Sequence, residues 1–96
     1  MICYILYSPS RGNYYVGITT ETIEARIHKH NTSFHGQHLT SVANDWEYYH
    51  VIFCSCKTQM LQIEKHIKKM KSKVYLQNLK RYEELSAKLL ERFPCN

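Results

Sequence analysis

The segment that most constrains the fold runs from Tyr14 to Asn31, where a strand pattern leads directly into a helix pattern. Thr20 offers a side-chain oxygen that can cap a helix, Glu21 and Glu24 place negative charge near the positive end of the helix dipole, and Asn31 supplies a stop. The first half has the period of two expected of a strand with two distinct faces, one set of side chains being Tyr14, Val16 and Ile18 and the other Tyr15, Gly17 and Thr19. The sequence therefore predicts a strand that turns into a helix over residues 21–31.

The predicted helix has two neighbouring faces of different chemistry. Ile23 and Ile27 are four residues apart and are expected to face the core. Arg26 and His30 are also four apart, so they stack one turn above the other on the adjacent face. With a phenol from the preceding strand they are expected to form a compact polar group.

The rest of the chain predicts two further strands and longer helices. Residues 2–7 are apolar and aromatic and fit a buried strand, and residues 8–13 are dense in turn formers. In the resulting hairpin, Tyr4 and Tyr15 are expected to approach each other across the strand pair. The prediction is completed by a loop over 32–45, a strand over 46–54, a helix over 57–70, and one or two helices over 73–93.

Composition bounds the partners and the compartment. A chain of 96 residues makes one domain, and its formal charge of +5 and pI near 9.1 favour an anionic partner such as nucleic acid. The four cysteines show no CxxC spacing, and no amino-terminal apolar run is long enough for a signal peptide or a membrane span. We therefore expect a cytoplasmic protein with reduced thiols that does not act at a membrane.

Three kinds of side chain have the chemistry that phosphodiester cleavage requires. Arg26 supplies a fixed cation with a planar fork suited to phosphate oxygens. Glu64 supplies a hard oxygen ligand for Mg²⁺, an ion that commonly takes one or two carboxylates and keeps water as its other ligands. A phenol has a reference pKa near 10, so a nearby metal, Arg26 or His30 would have to favour its phenolate before it could act as a base.

The order and spacing of these residues resemble the GIY-YIG nuclease domain, and most closely its small single-domain bacterial members. The resemblance covers residues 2 to about 80 and is carried by Ile2-Cys3-Tyr4, Tyr15-Val16-Gly17, Arg26, His30-Asn31 and Glu64-Lys65. It implies an α/β fold in which a small central three-stranded antiparallel sheet is flanked by helices. It also implies one domain over residues 1–96, with the carboxy-terminal helix 81–93 as a peripheral extension.

The resemblance further implies an endonuclease that hydrolyses DNA phosphodiester bonds with Mg²⁺ or Mn²⁺. Tyr4 and Tyr15 would be the motif tyrosines, and either could be the general base. His30 would assist proton transfer and Glu64 would bind the metal. The remaining implied site residues are Arg26 on the scissile phosphate, Gly17 at the close of the second motif, and Asn78.

Two departures and two alternatives accompany this reading. The first motif reads Ile-Cys-Tyr in place of Gly-Ile-Tyr, and Asn78 lies fourteen residues beyond Glu64, where family members often have an asparagine about a dozen beyond. One alternative is a nucleic-acid-binding domain of the same fold without activity. The other is a zinc module built from His28-x-His30, His35-x-x-His38 and Cys54-x-Cys56, although this spacing follows no standard closed site. DNA, branched or damaged, is the expected partner, with a partner protein or self-association supplying further specificity.

Overall fold

Three strands form one antiparallel sheet with strand order β2-β1-β3. The computed structural model describes residues 1–32 and 43–95. Its strands are β1 (Ile2–Ser8), β2 (Asn13–Thr19) and β3 (Glu47–Phe53), and its helices are α1 (Ile23–Thr32), α2 (Lys57–Met70), α3 (Lys73–Arg81) and α4 (Glu83–Arg92). The predicted three-stranded α/β fold is confirmed. Most of the predicted loop, residues 33–42, lies outside the described residues.

The register of the central strand places the tyrosines of the two motifs diagonally. Tyr4 lies opposite Gly17, and Leu6 lies opposite Tyr15. Two residues along a strand return to the same face of a sheet, so both tyrosines lie on one face. Their ring centroids are 6.1 Å apart, as expected for a diagonal pair.

Each face of the sheet has its own apolar cluster. On the Tyr4 face, Ile2, Leu6 and Trp46 are buried, and Ile23 and Ile27 of α1 pack against them. The opposite face carries the larger cluster, to which α2, α3 and α4 contribute; its buried members are Cys3, Ile5, Ile52, Ile63, Ile67, Leu76, Leu79 and Leu89. Helix α1 therefore covers one face and the other helices cover the second.

The start of α1 differs from expectation. Helix α1 begins at Ile23, and the side-chain oxygen of Thr22, not of Thr20, caps it by accepting a hydrogen bond from the Ala25 amide at 3.2 Å. The prediction was wrong because a short turn separates strand and helix, held by the Glu21 amide donating to Thr19 Oγ1 at 3.0 Å. The carboxy-terminal segment forms two helices, one of the two predicted alternatives, and they are separated at Tyr82, whose backbone is extended.

A disulfide corrects the expectation of four reduced thiols. Cys56, just before α2, is bonded to Cys95, just beyond α4. The two cysteines are 39 residues apart and belong to no short motif, so only the packing of α4 beside the start of α2 reveals the pair. Gln59 strengthens this junction by donating to the carbonyls of Leu90 at 3.3 Å and Phe93 at 3.0 Å.

The remaining cysteines are free thiols. Cys3 is buried in the sheet, and burial raises its pKa to about 12, so it behaves as a small apolar residue. Within residues 1–32 and 43–95, none of the helices combines the length and the apolar composition that crossing a membrane requires.

Candidate active site

The site is built around the side chain of Tyr4, which crosses the neighbouring strand. A Cβ atom on Gly17 would lie 2.6 Å from the Tyr4 hydroxyl oxygen and 2.7 Å from its Cζ. The phenol therefore occupies space that only a glycine leaves open, and it reaches over β2, an edge strand of the sheet. Tyr4 is fully enclosed, with 0% of its surface exposed. Gly17 thus makes room for the Tyr4 side chain. The alternative explanation of a glycine here, that it lets a helix pack closely on the strand, is not needed.

The Tyr4 hydroxyl joins the two polar residues of α1. It lies 2.9 Å from His30 Nε2, and it accepts a hydrogen bond from Arg26 Nη2 at 3.4 Å. Because the oxygen accepts from arginine, its own proton is available for the imidazole nitrogen. Arg26 and His30, which are predicted to lie on one helix face, therefore both contact the hydroxyl of Tyr4.

Burial is the largest influence on the pKa of Tyr4 and raises it. The hydrogen bond and positive charge of Arg26 act in the opposite direction without overcoming burial. Burial alone would lower the pKa of Arg26, but the contact with Tyr4 and the charge of Glu21 raise it. The guanidinium is therefore a permanent cation beside a phenol that keeps its proton at neutral pH.

Arg26 is held at two of its three nitrogens. Nη2 donates to Tyr4, and Nη1 lies 3.6 Å from Glu21 Oε1. The third, Nε, is buried and has no hydrogen-bond partner among the residues that the structure describes. A buried N–H without an acceptor costs about 1–3 kcal/mol, so this atom calls for an explanation.

Tyr15 stands on the open side of the cluster. Its ring centroid is 4.8 Å from that of His30 and 6.4 Å from that of Trp46. Unlike Tyr4, it keeps part of its surface exposed. The predicted approach of the two tyrosines is confirmed, and the structure adds that one is enclosed while the other reaches solvent.

Asn31 holds the end of α1 in place on the rest of the domain. The sequence predicts only that Asn31 ends the helix. Its side-chain oxygen accepts from the Trp46 amide at 2.7 Å, and its nitrogen donates to the Trp46 carbonyl at 2.8 Å. This pair of bonds ties α1 to the entry of β3 and so holds His30 against Tyr4. The only sequence clue was the position of Asn31 directly after His30.

Glu64 approaches the site from α2, on the other side of the sheet from α1. Its side chain is 19% exposed, and Oε2 lies 3.4 Å from Lys68 Nζ in the i,i+4 pair expected on a helix. The negative charge of Glu64 is among the influences that raise the pKa of Tyr4, and of Cys3 on the opposite face. Glu64 is the smallest of these influences on the pKa of Tyr4 and acts from the opposite face of the sheet.

The donor set suits a hard divalent cation. The Glu64 carboxylate, mostly buried but still partly exposed, meets the need of Mg²⁺ for one or two protein oxygens, with water and substrate phosphate as the other ligands. Lys68 is 53% exposed and can leave the carboxylate at little cost, since exposed pairs contribute about 0–1 kcal/mol. Among the described residues there is no group of three His, Cys, Asp or Glu side chains able to hold a metal, so the residues fit a single carboxylate ligand and no larger protein cage.

Asn78 belongs to α3 and not to the elements that carry Tyr4, Arg26 and His30. It is on α3, two positions beyond the buried Leu76, and its carbonyl accepts the amide of Tyr82 at 2.8 Å, closing the helix. Within the described ranges, no hydrogen bond joins its side chain to Tyr4, Arg26 or His30. Its assignment to the site stays a prediction.

The zinc alternative loses central ligands. Cys56 is bonded to Cys95, and His30 Nε2 is engaged with the Tyr4 hydroxyl. His35 and His38 lie outside the described residues. The ligands that remain within reach of one another do not form a closed zinc site among the described residues.

Comparison with known families identifies the family of the domain. A family model described as the GIY-YIG catalytic domain matches residues 1–81. The chain belongs to the GIY-YIG family. Domains of this family are generally endonucleases and typically use divalent metal ions. No curated protein and no solved structure matches the chain significantly.

The match to the GIY-YIG family ends where α3 ends, so α4 lies beyond it. We propose that α4 is an addition to the family domain. Leu89 of α4 is buried in the larger core cluster, and the disulfide anchors the segment that follows the helix.

Proposed function

We propose that this GIY-YIG protein is a divalent-metal-dependent endonuclease that hydrolyses phosphodiester bonds in DNA. The observation that carries the proposal is the Arg26 guanidinium, whose side chain is 26% exposed and which contacts with Tyr4 and Glu21 hold beside the Tyr4–His30 pair. A phosphate suits this group as a ligand, because guanidinium groups bind phosphates through two parallel N–H bonds. Family membership supports the same chemistry.

Arg26 is proposed to hold the scissile phosphate. Its contacts with Tyr4 and Glu21 fix the plane of the guanidinium before substrate arrives, so little is lost in orienting it. A fixed cation at this place stabilises the charge that grows on the phosphate oxygens during attack. Glu64 is proposed to hold Mg²⁺ or Mn²⁺, which when bound would polarise the phosphate and make its bound water more acidic.

Tyr15 is proposed as the phenol that contacts the attacking water, and Tyr4 as a positioning residue. Tyr4 is enclosed and burial raises its pKa, both of which disfavour a role as base. Tyr15 is partly exposed and lies against His30, which can stabilise a developing phenolate. Departure of the 3′ oxygen would leave a 3′-hydroxyl and a 5′-phosphate.

Phenylalanine variants distinguish the proposed roles of the two tyrosines. Tyr15→Phe is expected to lower the rate of nicking by at least about 100-fold, the lower end of what general base catalysis contributes, with little change in stability. Tyr4→Phe is expected to lose stability as well as rate, because Arg26 and His30 lose their shared partner. Full nicking by Tyr15→Phe together with loss of nicking in a folded Tyr4→Phe would reverse the assignment.

The metal role is tested by nicking of supercoiled DNA with Glu64→Gln. We expect the variant to lose Mg²⁺-dependent nicking while its thermal midpoint stays close to that of wild type, because the partner it loses is the half-exposed Lys68. Glu91→Gln, an exposed position on α4, is the matched control and should nick normally. Normal nicking by purified Glu64→Gln would remove Glu64 from the reaction. Binding without nicking by wild type would favour the inactive nucleic-acid-binding alternative.

We propose the cytoplasm as the compartment, because the DNA substrate and the free thiols suit it. The Cys56–Cys95 disulfide is unusual there, since cytoplasmic thiols are normally kept reduced. Because Gln59 also ties α2 to α4, we expect the fold to tolerate reduction of the bond. A partner protein or self-association is proposed to supply further substrate specificity.

A further inference from the structure

A groove of about 350 Å³ runs between β2 and the junction of α2 and α3. Its floor is apolar and includes Val16 and Leu76, while its rim is polar and basic. The residues that give the rim its chemistry are Asn13, Tyr15, Lys68, Lys71, Ser72 and Lys73. Three lysines border this groove, and among the described residues no acidic side chain lines it, so it suits an anionic ligand.

The groove adjoins the proposed metal ligand Glu64. Lys68 lines the groove and pairs with Glu64. Tyr15 also lines the groove, although its ring lies on the other face of the sheet against His30. A DNA strand held beside Glu64 would therefore pass the lysines of the groove.

The lysines at the far end of the groove retain free charge. In the described part of the chain, neither Lys71 nor Lys73 forms an ion pair. Lys73 donates one N–H to the Gly12 carbonyl at 3.1 Å, which holds its ammonium beside the hairpin turn and leaves two N–H groups for a ligand.

Lys71 occupies a position where glycine would be the better choice for the backbone. It ends α2 in the left-handed conformation, with φ of 47°. Helices commonly end on glycine in this conformation, because a side chain there is strained. The chain thus carries a lysine at the rim of the groove at a cost to the fold.

We propose that this groove binds the phosphodiester backbone of the DNA strand next to the scissile phosphate. The proposal rests on the proposed nuclease function and gives the path of its substrate.

The test measures binding of duplex DNA in EDTA, so that no cleavage occurs, at salt concentrations from about 50 to 200 mM. The variant Lys71→Gly/Lys73→Gln removes two charges from the groove. Lys69→Gln/Lys88→Gln removes two charges from exposed lysines that do not line it. We expect the slope of log K against log salt to become shallower by about 1.8 in the groove variant, at about 0.9 for each phosphate that is no longer neutralised. The control variant should keep the wild-type slope.

Stability separates a binding role from a structural one. Lys71→Gly alone is expected to keep or raise the thermal midpoint, because it relieves the left-handed side chain, while its slope becomes shallower by about 0.9. A lower thermal midpoint for Lys71→Gly would assign the lysine to the fold and overturn its part in the groove. Equal slopes for the groove and control variants would overturn the groove as a DNA path.

Nicking of supercoiled DNA by wild type, run in parallel at low salt with Mg²⁺, distinguishes the two proposals. If wild type nicks DNA and the groove variant keeps the wild-type salt slope, only the groove is refuted. If wild type neither binds nor nicks DNA, the nuclease function and the groove both fail.

Discussion

Replacing Gly17 with alanine tests whether this glycine exists to admit the Tyr4 phenol. The new Cβ would lie 2.6 Å from the Tyr4 hydroxyl oxygen, 2.7 Å from its Cζ and 2.8 Å from Cε2 of Tyr15. All three distances are too short, so at least one ring must move. Tyr4 cannot swing into solvent because it is fully enclosed and bonded to His30 and Arg26.

The expected cost has three contributions. Overpacking a filled site costs about 1–3 kcal/mol, and loss of the Tyr4–His30 hydrogen bond adds about 1 kcal/mol. Replacing glycine also restricts the unfolded chain, which stabilises the fold by about 0.4–1 kcal/mol and offsets part of this cost. We therefore expect Gly17→Ala to lower the free energy of unfolding by about 1–4 kcal/mol, with loss of nicking because Arg26 and His30 lose their shared partner.

Urea denaturation in two backgrounds measures the effect. In the Tyr4→Leu background the shorter side chain removes the two contacts with the Tyr4 ring and leaves the one with Cε2 of Tyr15, so Gly17→Ala should cost clearly less than in wild type. Gly12→Ala is the control, because Gly12 has φ of +64° and a Cβ there meets no atom within 4 Å. Its cost, from backbone strain alone, should be equal in both backgrounds. An equal cost of Gly17→Ala with and without the Tyr4 ring would refute the reasoning.

Two further predictions concern the cysteines. The pKa of Cys3 is about 12 in the folded protein and near 9 when unfolded, so only the unfolded state loses this proton between those values. This group should lower the free energy of unfolding above pH 9 by up to about 1.4 kcal/mol per pH unit. Urea denaturation at pH 8 to 10 should therefore show a smaller fall of stability with pH for Cys3→Ala than for wild type. An equal fall in both proteins would contradict the burial of the thiol. The Cys56–Cys95 bond closes a loop with a sequence separation of 39, which the chain-entropy model values at about 4 kcal/mol. Cys56→Ser/Cys95→Ser and reduced wild type should lose a similar stability by denaturation, and a variant as stable as oxidised wild type would show that the bond does not form in solution.

Much of the fold follows from patterns that are local in the sequence. Alternation around Val16 and the turn formers before it define the hairpin, and the apolar stripe of residues 60, 63 and 67 defines α2. The cap of α1 was misplaced because Thr20 and Thr22 have equal capping chemistry. Only the turn held by Thr19 selects Thr22.

The site is less accessible to sequence reasoning because its contacts cross between elements. The spacing of Arg26 and His30 predicted a shared helix face, and the motifs predicted the two tyrosines. That Tyr4 passes over Gly17 depends on strand register, and that Asn31 binds the backbone of Trp46 depends on how α1 meets β3. The Cys56–Cys95 pair likewise depends on the packing of α4.

Hydrolysis of DNA by purified wild type is the most direct test of the proposed chemistry. Supercoiled plasmid is incubated with Mg²⁺ or with EDTA, and the relaxed product is then treated with DNA ligase. We expect relaxation only with Mg²⁺, no relaxation by Glu64→Gln, and resealing by ligase, since departure of the 3′ oxygen leaves ends that ligase can join. Relaxation that persists in EDTA or in Glu64→Gln, or a plasmid that stays supercoiled with wild type and Mg²⁺, would contradict a metal-dependent nuclease built on this site.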